Sequence, residues 1–527
     1  MSPLKTSSAV DQSSGKLCAV KPSPGAATIG VWLELPPGAN LRGEGIPRVL
    51  ASLIRAAHGR HATRVVLAIP GWMGAAVRSF LAESGVPEDA AELVVARRWT
   101  ERVGAVLEAA RRTVVPRVPK IVRRIAVGPL VLLGRLLPRS KRLVYQEMLK
   151  LEYRRLARVA SRRRDVAVWF VPHPAWRGAT ALQRPLVVAV PDVVYSEFPE
   201  GFDPTWCRDV DAAIRELTSV AMATISYSDH VRDRHVVGHL GVEPERAHTI
   251  RHAPIEVDRH LPAGALASGE GGRRRAVEVL NGWLSGRGGE PGSTDQRGSR
   301  RARFRVGERP FLFVSSQVRP YKGYVTLVRA FALLRREHQP ELELVVTGDL
   351  GSGPLTGFAA DVRREVARAH LEGDVVSVPG VPPSVHAALY RLAALTVVPS
   401  LFEGGFPFQF SESLSVGTPV VMGAIPVVLD VLPRSLADIT VFDPRDPVSM
   451  ASRIKHALAN RQQLVAAQLD FFGQLKRRSW EQVAEEYLEL FSEAAATGRS
   501  RPGVASGRSG GTSSDHGRER QDPLGAR

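Results

Sequence analysis

The stretch Leu401–Leu414 (LFEGGFPFQFSESL) sets two carboxylates, Glu403 and Glu412, around a Gly404-Gly405 turn in an otherwise apolar run. It directly follows what reads as a buried strand ending at Pro399-Ser400. Carboxylates accept paired hydrogen bonds from vicinal hydroxyls, which suits ribose or hexose recognition. The N–H groups of Gly404 and Gly405 can meet a phosphate or a sugar oxygen. The plainer alternative is a strand-to-helix loop that happens to carry acids. Upstream, Val314–Gly323 (VSSQVRPYKG) places Gln317, Arg319 and Lys322 between a strand and a helix. A positive side chain there neutralises a phosphate, as do the free N–H groups of the helix start; an ordinary basic surface loop looks the same. Val345–Gly351 (VVTGDLG) ends a strand near Gly348, where a missing side chain lets a ligand approach the backbone. Gly380–Pro383, with Val381, precedes a helix over His386–Tyr390 and can offer backbone groups to a planar base. No His/Cys cluster points to a metal site.

These loops need strands behind them, and the apolar runs supply two sets. Ile29–Leu35, Arg64–Ile69, Val166–Val171, Leu186–Val190 and Ala221–Ser226 read as buried strands, with a helix over Gly45–Ala57. Phe311–Val314, Leu342–Val346, Val375–Val378 and Leu395–Val398 form the second set, with an amphipathic helix over Val325–Arg336. Short apolar runs alternating with helical patterns predict parallel sheets covered on both faces. The fold class is therefore α/β, with two Rossmann-like, doubly wound parallel-sheet domains. Residues 1–27 read as a disordered N-terminus and residues 28–261 as the first domain. Residues 262–309 read as a mobile Gly/Arg-rich linker, 310–497 as the second domain and 498–527 as a disordered tail. Ligands of such sheets bind at the carboxyl ends of the strands.

The chain has 527 residues and a net charge of +18. From residue 97 to 164 there are 20 Arg or Lys against 4 Asp or Glu, so nearly all of the excess sits in one segment. That segment reads as a basic helical insertion in the first domain. It is either a solvated face or a docking surface for something anionic, such as a membrane that presents a lipid-linked acceptor through Ile125–Leu137. It lacks interleaved aromatics or a nucleic-acid-binding motif, so no nucleic acid is expected. Two distant cysteines, Cys18 and Cys207, give no disulfide framework. Without a signal-peptide pattern or a run of about 20 apolar residues, a soluble cytoplasmic protein is expected, with possible peripheral contact at the inner face of the cell membrane.

Taken together, S-Q-V-R-P-Y-K-G, V-T-G-D, the Tyr390 helix, P-S-L-F-E-G-G-F-P-F-Q-F-S-E and V-G-T-P-V-V resemble the donor-binding half of the retaining GT-B glycosyltransferases of family 4, over about residues 310–495. Ser479-Trp480 matches the start of that fold's final helix, which crosses back to the first domain. The first half resembles mannosyltransferase-like members more loosely. Gly43–Arg48 (GEGIPR) sits where they have a Gly-rich acceptor-side loop that includes Gly43 and Gly45. Val188–Phe202 resembles their H-D-L-x-x-x-x-x-P-E-x-F stretch, Ala223–Arg234 their V-S-x-x-S segment, and Gly241–Val257 their entry to the linker.

The resemblance implies a metal-independent transfer of a hexose from a nucleotide-diphosphate sugar, with retention, to a saccharide or lipid-linked acceptor. No cofactor is implied, and GDP-mannose is favoured over UDP-sugars. By position, Lys322 binds the donor diphosphate, with Gln317 where an arginine is usual and Arg319 supplying part of that charge. Glu403 lies at the transferred sugar, Glu412 holds the ribose, and Gly404 and Gly405 present N–H groups. Asp192 follows Pro191 where a His-Asp pair is common, and His173 is a candidate substitute for that histidine. Eight residues separate Glu403 from Glu412 where the family has seven, a difference the Gly-Gly turn can absorb. These departures also suit a non-catalytic sugar-nucleotide-binding or scaffold protein.

Overall fold

A computed structural model describes residues 28–39, 41, 45–61, 63–96, 138–267, 269–286, 309–337, 340–351 and 357–500. The seven strands of the first sheet are β1 (Thr28–Trp32), β2 (Val65–Ile69), β3 (Ala91–Val95), β4 (Val166–Val171), β5 (Leu186–Ala189), β6 (Ala223–Ser226) and β7 (Ala247–Thr249). They pair in the order β3-β2-β1-β4-β5-β6-β7, and every pairing is parallel. The six strands of the second are β8 (Phe311–Val314), β9 (Glu343–Val346), β10 (Val375–Ser377), β11 (Leu395–Val398), β12 (Val420–Gly423) and β13 (Val441–Phe442). Their order is β10-β9-β8-β11-β12-β13, again all parallel. Parallel strands need crossovers, and the helices that provide them cover both faces, which explains why the strands read as unbroken apolar runs.

Helices α1 (Gly45–His61), α2 (Gly74–Glu83), α3 (Pro138–Ala160) and α4 (Pro204–Val220) belong to the first half. Helix α5 (Glu270–Leu284) lies within the stretch expected to be a linker. Its Ala276 and Leu280 are buried among Val257, Phe313 and Tyr390, because their four-residue spacing makes an apolar stripe that the Gly/Arg-rich composition masks. Helices α6 (Tyr324–Glu337), α7 (Gly357–Arg368), α8 (Pro383–Leu392), α9 (Phe408–Ser415), α10 (Pro447–Ala459) and α11 (Arg461–Leu475) pack on the second sheet. Of the basic segment only α3 and the turn after it are described; residues 97–137, Ile125–Leu137 among them, lie outside the described residues, as do 1–27 and 501–527. No helix among the described residues is long and apolar enough to cross a membrane.

The last helix, α12 (Trp480–Ser500), returns to the first half. Val483, Ala484, Tyr487, Leu490, Phe491 and Ala494 join the core under β1, β2 and β4. Its start is a capping box: Ser479 Oγ accepts from the Gln482 N–H, and Gln482 Oε1 accepts from the Ser479 N–H. Trp480 Nε1 donates to the Pro254 carbonyl, and Lys476 pairs with Glu256, so the crossing is tied at its start.

Candidate active site

The carboxyl ends of the two sheets face one another, and the loops leaving them meet. After β8 the chain makes a short turn over Pro320–Lys322 and enters α6 through Gly323, at φ 63°. Only glycine fits there, because a Cβ at Gly323 would collide with the Pro399 carbonyl after β11. That close approach, with the Leu401 N–H donating to the Tyr321 carbonyl, brings Lys322 to Glu403. Lys322 Nζ lies 2.5 Å from Glu403 Oε1, which also accepts from Ser400 Oγ at 2.6 Å. The two charged side chains are mostly buried.

Asp192, on the loop after β5, completes the cluster. Burial pushes its carboxyl above the usual range and nearby Glu403 adds to this, while the Val194 N–H and Lys322 act against it. Gly404 packs directly on the Pro191 carbonyl with no room for a Cβ, its carbonyl accepts from Ser228 Oγ at 2.9 Å, and Gly405 abuts Tyr227. The first sheet's loops thus close on the Gly-Gly turn of the second. Pro191, where the resembled family has histidine, contributes a carbonyl contact in place of an imidazole.

Glu412 sits one step deeper, on α9, and is 1% exposed. Its Oε2 accepts from Tyr390 at 2.7 Å, and its Oε1 is paired with Arg48 from α1 of the first half. Burial alone would raise the Glu412 carboxyl, but Arg48, His386 and Tyr390 together hold it below the usual range. His386 bonds Ser315 Oγ at 2.7 Å and packs edge-on to Tyr390; burial lowers it to about 4. The phenylalanines of the run divide by face. Phe406 and Phe410 enter the core behind α9, Phe402 packs with Val194, Phe198 and Val231, and Phe408 stacks on His252 beneath Arg48.

Gln317 accepts from Arg319 within its own loop. At Gly348 the space of a Cβ is filled by Tyr324 and Val318, so this glycine serves packing between β9 and α6. Val381 is half-buried against the core between β8 and α8. Gly45 opens α1 with open space around it, and Gly43 lies outside the described residues. His173 stacks on Trp176 and accepts from the Ala175 N–H, and burial lowers it to about 4. Two groups escaped the sequence reading. Arg48 was visible only as the end of GEGIPR. Glu34, after β1, is bonded by Trp32 Nε1 and the N–H groups of Gly178 and Ala179, and burial pushes it up to about 7.

One group of three side chains among the described residues is close enough to share a metal: Glu197, His230 and His235. The Val193 N–H donates to His235 Nδ1 at 3.0 Å, which leaves the ring proton on Nε2, 3.4 Å from Glu197. A metal-binding histidine donates from its other ring nitrogen, so this group fits a buried hydrogen bond and not a metal.

Residues 295–469 match the family described as "Glycosyl transferases group 1", a third of the chain. An uncharacterized glycosyltransferase of Methanocaldococcus jannaschii is 26% identical over 191 residues, 36% of this chain and 45% of that protein. The O-antigen chain mannosyltransferase B of Escherichia coli is 28% identical over 174 residues, 33% of this chain and 43% of that protein. The matched stretches thus span under half of either relative. The Anabaena protein Alr3699/HepE, solved with UDP and glucose, superposes with a TM-score of 0.56 at 14% identity, over 89% of this chain and 100% of that one. The two facing parallel sheets, bridged by a returning C-terminal helix, are a GT-B fold.

Proposed function

We propose that the protein is a glycosyltransferase that moves a hexose from a nucleotide-diphosphate sugar to a saccharide or lipid-linked acceptor, with retention at the anomeric carbon. The observation behind it is the meeting of Lys322, Glu403 and Asp192 between the carboxyl ends of both sheets, with buried Glu412 on the helix that follows Glu403. In this reading Lys322 leaves Glu403 for the donor diphosphate and stabilises the charge that develops on it, assisted by the N–H groups at the start of α6 rather than by a metal. Glu403 and Asp192 then address sugar hydroxyls, and Glu412 the ribose. The match to a mannosyltransferase supports mannose and hence GDP-mannose as donor, and the UDP-bound structural neighbour supports the UDP-sugar alternative.

Turnover measured over a panel of nucleotide sugars tests this. The wild type should consume one donor, and Lys322→Ala and Glu412→Ala should each lose about a hundredfold or more with the fold intact. Wild-type kinetics in either variant sinks the assignment. A second reading, a sugar-nucleotide binder without turnover, is favoured by Pro191, whose carbonyl packs on Gly404 where a histidine would face the sugar. Binding of the same panel without consumption selects it.

A further inference from the structure

Away from the cleft, the amino edge of the second sheet carries an unassigned basic cavity of about 270 Å³, lined by Gly269, Arg273, Pro310, Arg391, Leu392, Ala393, Ala394 and Arg461. Pro310 precedes β8 and Ala394 precedes β11, whereas Lys322 and Glu403 follow those strands. The cavity and the acid–lysine cluster therefore lie at opposite ends of the same strands. Three guanidinium groups converge here from three helices: Arg273 from α5, Arg391 from α8 and Arg461 from α11.

No acid pairs with any of the three among the described residues. Arg391 is held in place by backbone carbonyls alone: its Nε donates to Ala265 and its two Nη groups to Ala267 and Val416. Arg461 lines the cavity and donates through Nε to Ala394. Burial lowers both guanidinium groups, and Arg273 lowers both further by repulsion. Like charges brought together in a concavity without a counter-charge are relieved by a bound anion. Arginine forks match the oxygen geometry of phosphate, and Gly269 caps the N-terminus of α5 beside them.

We propose that this cavity is a second anion site, for a phosphate-bearing small molecule no larger than a diphosphate or a hexose phosphate. Its volume falls just below that of ordinary ligand pockets, which suits a compact and highly charged ligand. Arginines contributed by three helices would couple α5, α8 and α11 to occupancy, and α8 carries Tyr390, the partner of Glu412.

Calorimetric titration of the full chain at constant ionic strength tests this with inorganic phosphate, pyrophosphate and hexose 6-phosphate as separate arms. Saturable binding of at least one is expected. It should survive in Lys322→Ala, which disables the cleft, and weaken about tenfold or more in Arg273→Gln/Arg461→Gln. Arg273→Glu, at an exposed position that donates no hydrogen bond among the described residues, should weaken it without lowering the unliganded melting temperature, which keeps the test valid if the double variant misfolds. Binding lost in Lys322→Ala but kept in the arginine variants places the anion in the cleft and overturns the proposal. So does the absence of saturable binding by all three probes.

Discussion

The Arg48–Glu412 pair joins the two halves through a carboxylate that is 2% exposed and a guanidinium that is 29% exposed. Replacing Arg48 by Met strands Glu412 with the Tyr390 hydroxyl as its remaining strong donor. Removing one partner of a buried pair costs about 3–5 kcal/mol. Partial exposure of Arg48 trims this to about 2–4 kcal/mol. The converse, Glu412→Met, lets Arg48 turn to water and costs less through charge, but it leaves Tyr390 without its acceptor, about 1–3 kcal/mol. In Arg48→Met/Glu412→Met no charge remains buried, so the double variant should fall short of the summed single costs by about 2 kcal/mol. Urea unfolding, followed by separate probes in each half, measures the cycle. Nucleotide titration then separates structure from function. If ribose hydroxyls compete with Arg48 for Glu412, Arg48→Met should bind UDP or GDP more tightly, up to about tenfold for each 1.4 kcal/mol of relieved competition. Additivity within about 0.5 kcal/mol, or weaker nucleotide binding by Arg48→Met, refutes the reasoning.

Two further outcomes follow from the described geometry. His173, His235, His252 and His386 are lowered by burial to about 4, 4, 3 and 4. The unfolded chain takes up these protons near pH 6.5 and the folded chain does not, so their stabilisation is complete above 6.5 and is lost as pH falls toward 4. Glu34, raised to about 7, acts in the opposite sense between 4.5 and 7 and offsets one of the four protons. The histidines outnumber Glu34, so stability should fall as pH drops through that window, and a flat melting temperature from pH 6.5 to 4.5 contradicts it. Gly404→Ala forces a methyl group into the Pro191 carbonyl and should cost about 1–3 kcal/mol while lowering donor turnover; unaltered stability and turnover show that the loops do not pack as described.

The two sheets were legible because parallel strands buried on both faces leave unbroken apolar runs such as VAVWFV and FLFV. Strands β3, β7, β12 and β13 were not read: Ala91–Val95 carries Glu92 at a half-buried edge, Val420–Gly423 reads only as the end of V-G-T-P-V-V, and the other two are only three and two residues long. In the site, Lys322, Glu403 and Glu412 were readable from spacing within one loop or the next. Arg48 and Ser228 were not, because their partners lie 364 and 176 residues away in sequence. Helix α5 was hidden by its glycines and arginines, which occupy the solvent face of a stripe made by Ala276 and Leu280.

The return of α12 has a consequence for biosynthesis. The apolar faces of β1, β2 and β4 leave the ribosome early, yet Tyr487, Phe491 and their neighbours, which cover them, emerge more than two hundred residues after β7. At about 5–20 residues per second this leaves the first sheet uncovered for on the order of ten to fifty seconds. During that interval the nascent chain presents a hydrophobic surface that its own last helix has not yet arrived to hide, so holdase chaperones have a defined window and a defined face to occupy.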